Sequence, residues 1–138
     1  MKPINTFLAL LFISLLSSPS WGETMDDLVE RNGLYYQKFI NVPFSGNVTG
    51  NKQGLINKGK QEGVWVSYRE NGQLWAKGNL KDGKLEGAWI EYYTNGQLMV
   101  KGNFKNDEFE GPWVGYNEDG SVWKKFTGTF KDGTKISD

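Results

Sequence analysis

The chain has neither cysteine nor histidine. That removes disulfides, cysteine nucleophiles, Ser-His triads, the usual zinc sites and the lipid-modified cysteine of an anchored lipoprotein. It also lacks an excess of either charge, with 16 basic against 16 acidic side chains. A balance of that kind gives no reason to expect nucleic-acid binding, which needs concentrated positive charge. Long apolar runs are missing too. The longest, Phe7–Leu16, has ten residues and is too short to span a bilayer. It follows Lys2 and precedes Pro19, Ser20 and Gly22, the layout of a cleaved leader ending at Gly22. The expectation is export to a periplasm or beyond the cell, with no transmembrane segment after cleavage. The remaining 116 of the 138 residues suffice for one domain.

What the chain has is repetition. Trp65, Trp89 and Trp113 recur every 24 residues, as do Tyr68, Tyr92 and Tyr116. Gly54, Gly78 and Gly102 keep that step, and so do Gly63, Gly87 and Gly111. Asn71-Gly72, Asn95-Gly96 and Asp119-Gly120 supply one turn per unit. Such periodicity means an array of one small unit. Two-residue turns between patterned runs predict antiparallel hairpins, with Asn-Gly expected to form type I′ turns. The fold class predicted is all-β: a single elongated, twisted antiparallel meander of successive hairpins. Residues 1–22 are read as the leader, 23–53 as an N-terminal capping hairpin segment with a turn at Asn32-Gly33, and 54–138 as the array. Phe130-Lys131 lies 26 rather than 24 residues beyond Phe104-Lys105, which predicts a bulge near Lys125–Thr127.

The expected register across Asn71-Gly72 sets Arg69 opposite Leu74, Tyr68 opposite Trp75 and Trp65 opposite Gly78. One face then carries Trp65, Leu74, Ala76, Gly78 and Leu80, followed by Leu85, Trp89, Tyr93, Leu98, Val100 and Phe104. This is the predicted core. Same-face columns two strands apart lie about 9.6 Å from one another. A tryptophan laid over the intervening glycine, Trp65 over Gly78 in the first unit, would fill that gap. Trp65, Gly78, Trp89, Gly102 and Trp113 are the structural repeat residues on this reading.

Glu62, Glu86 and Glu110 recur as well, but equivalent carboxylates offer no environment that separates two pKa values for acid–base work. The Asp-Gly pairs lack a calcium-loop pattern and read as turns. No catalytic, cofactor-binding or metal-ligating residue is predicted, and no enzyme. The second face is mixed and is the candidate partner-binding surface. It is expected to present Tyr68, Trp75, Lys77, Tyr92, Met99, Lys101, Tyr116 and Lys125. Aromatics interleaved with lysines suit a protein segment, a glycan or an anionic lipid surface.

The run E-G-x-W-x-x-Y-x-x-N-G-Q-L-x-x-K-G-N-x-K resembles the MORN repeat in its bacterial variant form. Glu86–Lys105 matches it, Glu62–Lys81 nearly as well, and Glu110–Phe130 less closely. The resemblance implies a curved antiparallel sheet, no catalysis, no cofactor and an interaction role with another macromolecule, a protein first of all. A lipid-headgroup role is the other function it implies. It also implies an alternative as the immunity or antitoxin partner of a toxin.

Overall fold

The computed structural model describes residues 22–138; the leader proper lies outside the described residues. Twelve strands follow in chain order: β1 (Glu23–Thr24), β2 (Leu28–Arg31), β3 (Leu34–Gln37), β4 (Gly46–Thr49), β5 (Lys52–Asn57) and β6 (Lys60–Tyr68). They continue with β7 (Leu74–Lys81), β8 (Lys84–Tyr92), β9 (Leu98–Lys105), β10 (Glu108–Gly115), β11 (Gly128–Lys131) and β12 (Thr134–Ser137). Strands β4 to β12 pair with their chain neighbours as an antiparallel meander, and β1 adds to the outer edge of β4 in parallel. The β2–β3 hairpin stands apart as a second, two-stranded sheet. The meander is therefore as expected, with a parallel edge strand and a separate hairpin added at its beginning.

Two kinds of turn alternate along the array. Asp82-Gly83 joins β7 to β8 with both residues at positive φ, 51° and 79°, which is the type I′ condition. Asn32-Gly33, Lys58-Gly59, Asn106-Asp107 and Asp132-Gly133 do the same. The Asn-Gly turns differ from the expectation. Only Gly72 of Asn71-Gly72 has positive φ, and its N–H donates to the Arg69 carbonyl at 2.9 Å. The Asn71 side-chain oxygen accepts the Gln73 N–H at 3.0 Å. That bond holds Asn71 out of the left-handed region, so the link is a type I turn followed by a left-handed glycine. Asn95 and Asp119 repeat the contact with Gln97 and Ser121.

The longer link changes the register. Tyr68 pairs with Leu74 and Ser67 with Ala76, leaving Trp75 unpaired as a bulge residue. Tyr92 pairs with Leu98 and Glu91 with Val100, leaving Met99 in the same position. Leu74 and Leu98 therefore share the face of Tyr68 and Tyr92, opposite to the sequence reading. Deeper in the strands the expected pairs hold: Val66 with Lys77, Trp65 with Gly78, Trp89 with Gly102. A second irregularity recurs at Gly63, Gly87 and Gly111, all at positive φ. There β6, β8 and β10 each carry two extra residues against the preceding strand. Repeated bulges of this kind bend a sheet.

The tryptophans do cover glycines, but in the opposite direction from that expected for Trp65. The Trp65 ring occupies the space a Cβ on Gly54 would need, Trp89 that of Gly78 and Trp113 that of Gly102. Each indole leans back over the preceding unit. Trp65 and Trp113 also donate their ring N–H to the Leu55 and Asn103 carbonyls, at 3.1 and 2.9 Å. On this face lie two buried clusters. Leu28, Val48, Ile56, Trp65 and Leu80 form one, covered by Met25, Tyr35 and Phe44 from the N-terminal segment. Val100, Trp113 and Phe130 form the other, packed by Phe104, Phe109 and Phe126. The two-residue insertion before β11 is a 3-10 turn, Lys124–Phe126, rather than a strand bulge. It restores register, since Trp113 pairs with Gly128 as Trp89 does with Gly102.

Candidate binding face

The face away from the tryptophans is a groove of about 530 Å³. One row of direct register partners crosses six strands on this face, Gln53, Val66, Lys77, Ile90, Lys101 and Val114, and the last four of them line the groove. Neighbours along this row are one strand apart, so the two lysines stand about 9.6 Å from each other with Ile90 between them. Alongside lie Val64, Ala88 and Pro112, with Asn79 and Asn103. Val64 is 55% exposed and Val114 37%, so apolar surface is open to solvent here. No acidic side chain lines the groove. Among the described residues neither lysine has an ion-pair partner; the salt bridge found joins Lys135 to Asp138.

Of the eight residues expected on this face, five share it. Lys77 and Lys101 line the groove. Tyr68, Tyr92 and Tyr116 lie two positions beyond Val66, Ile90 and Val114, and pair with Leu74, Leu98 and Val122. Three do not belong. Trp75 turns to the core face at its bulge, where its ring N–H donates to Glu91 at 3.0 Å. Met99 turns likewise and packs on the Val100–Trp113 cluster. Lys125 sits in the 3-10 turn with its ammonium 5.4 Å from the Phe126 ring centre, outside the lysine column. Sequence reasoning placed Val66 and Ile90 on this face but passed over their role. The signal was present: Val66, Ile90 and Val114 each follow the repeat tryptophan by one residue.

The recurring glutamates act within the fold. Glu62, Glu86 and Glu110 accept the N–H groups of Asp82, Asn106 and Asp132, at 2.8, 2.9 and 3.1 Å. Each carboxylate thus holds the tight turn of the next unit. Gly83, Asp107 and Gly133 add a second bond there, donating to the Gln61, Leu85 and Phe109 carbonyls. At the other end of the strands Arg69 donates to the Tyr92 carbonyl and the Tyr93 hydroxyl to that of Tyr116. Units are clamped to their successors at both margins, which leaves the groove between them as the surface with unspent chemistry.

An open array of successive β-hairpins with one lysine-bearing face defines an all-β repeat protein. Residues 61–82 and 85–106 each match the family model of the MORN repeat variant. These two units of the chain are therefore similar to the MORN repeat variant. Repeats of this family are commonly binding modules for proteins or lipids and are generally non-catalytic. No curated protein and no solved structure matches the chain.

Proposed function

We propose that this chain is an exported, non-catalytic module that binds another protein in the groove, through an extended segment carrying acidic side chains about an apolar one. The observation that carries this reading is the row Val66–Lys77–Ile90–Lys101–Val114. Its two cations lack acidic neighbours, so an incoming carboxylate finds an unspent partner at each. Ile90 and the flanking valines supply the apolar contact that charge alone does not. A spacing of about 9.6 Å matches three residues of polyproline-II chain at roughly 3.1 Å each. Carboxylates three apart on such a segment would meet both lysines at once.

The test is selection of peptides from a displayed library against the protein and its Lys77→Glu/Lys101→Glu variant. Peptides with paired acids and a central apolar residue are expected from the wild type, bound at least about tenfold more weakly by the variant, or roughly 1.4 kcal/mol. The variant should keep the wild-type melting curve, since both side chains are exposed. A selection without acidic bias overturns the reading, as does lysine-dependent co-sedimentation with anionic vesicles in the absence of any peptide preference.

A further inference from the structure

The loop joining β3 to β4 presents Phe39 at 100% exposure, with Ile40 and Val42 beside it at 45% and 69%. The Ile40 N–H donates to the Gln37 carbonyl at 3.1 Å, closing a four-residue turn. Phe39 is the third residue of that turn, with φ of +66°, while Lys38 before it keeps negative φ. This is a type II turn, whose third position glycine ordinarily fills. An aromatic residue there is strained. Nothing in the fold offsets the strain, because the ring packs against nothing. The tip is nevertheless braced. Arg31 lies over the Tyr36 ring, 4.1 Å from its centre, and donates to the Asn41 side chain at 2.9 Å and to the Ile40 carbonyl. A strained, rigid and unpacked aromatic points to a role outside its own chain.

The molecule also contains a receptacle of matching character. Between the two covers of the core face lies a cleft of about 350 Å³, lined by Trp65, Trp75, Leu80, Leu85 and Trp89, with Glu91. Lys52 stands on its margin. Beside the tip stand Lys38 and Asp27, the latter joined to Lys38 through its carbonyl. The tip is flanked by Lys38 and Arg31 with Asp26, Asp27 and Glu30, and the cleft by Lys52 and Glu91, so cations and anions of both sides can meet around an apolar contact. A bilayer would also take an apolar tip, but it needs no rigid turn. Asp26, Asp27 and Glu30 nearby would repel anionic headgroups.

We propose that the Phe39–Val42 tip of one copy seats in the Trp75–Trp89 cleft of a second copy. The contact is separate from the groove face, which stays open for a partner. Reciprocal seating about a two-fold axis closes a dimer, and one-way seating extends into a chain.

Sedimentation over a range of concentrations tests this with the wild type, Phe39→Gly and Trp75→Ser. The wild type should associate, and either change should weaken association at least about tenfold. The Phe39→Gly protein should melt no lower than the wild type. A mixture of the two variants should regain assembly, since one supplies an intact cleft and the other an intact tip. A wild type that stays monomeric to about 100 µM overturns the proposal. So does a Phe39→Gly protein that associates normally or melts lower. Phe39-dependent binding of a monomeric wild type to phosphatidylcholine vesicles would replace the second copy with a membrane.

Discussion

Glycines in this chain do two different jobs, and substitution separates them. At Gly78 the backbone is ordinary, but a Cβ would enter the Trp89 ring. At Gly63 there is open space, but φ is +71°. Gly78→Ala is expected to cost about 1–3 kcal/mol through forced displacement of the indole. Gly63→Ala should cost about 1–2 kcal/mol through conformation alone. Urea unfolding measures both, and tryptophan fluorescence of the folded state should shift only for Gly78→Ala.

Charge at the residue scale gives a pH prediction. The Ser121 hydroxyl and backbone N–H, both donating to Asp119, hold its carboxyl below the usual carboxylate value of 3.8. The Thr24 hydroxyl and N–H do the same for Asp27. A depressed carboxyl stabilises the fold above its unfolded pKa, and that contribution is lost as pH falls through the lower folded value. The chemical shift of the Ser121 amide should therefore titrate with a midpoint below 3.8. With no histidine in the chain, stability should be nearly level between about pH 5 and 8.

At the scale of the element, the hairpin was legible and its longer turn was not. Trp65 opposite Gly78 and Val66 opposite Lys77 follow from alternation within strands, and alternation survives into the structure. The Asn-Gly dipeptide alone signals a type I′ turn. The asparagine side chain shifts the balance by taking the backbone N–H two residues on, from Gln73 and Gln97, as Asp119 takes it from Ser121. One extra residue in the link then turns Trp75 and Met99 to the other face, since register errors act with a period of two. Two candidate site residues were lost that way. The glutamate clamp was unreadable for another reason: Glu86 and Asn106 are twenty residues apart, and only the bulge at Gly87 brings them together. Glu86→Ala is expected to cost about 1–3 kcal/mol, as for a hydrogen bond to a charged group. Faster hydrogen exchange should be confined to the Asn106–Asp107 turn; acceleration spread through β6 and β7 would contradict a local clamp.

For the whole molecule, stability should grow with the number of units. Each hairpin contacts its neighbours alone, so an array behaves as a sum of units and interfaces. Inserting a second copy of residues 84–107 after Asp107 repeats the β8–β9 hairpin with its Trp, its glycine and its glutamate. The lengthened protein should melt several degrees higher with one cooperative transition, as followed by circular dichroism. A lower midpoint, or two separated transitions, would show that the end covers rather than the interfaces set stability.

The final unit is closed differently. Gly128 holds the place of Gly78 and Gly102 opposite a tryptophan, yet no later indole arrives over it. A Cβ there would instead meet the Ser137 carbonyl and the Lys135 side chain of β12. The place that a tryptophan of the following strand takes over Gly78 and Gly102 is taken at Gly128 by the backbone of β12. The last hairpin is thus sealed by the backbone of its own second strand, where the earlier ones are sealed by an indole.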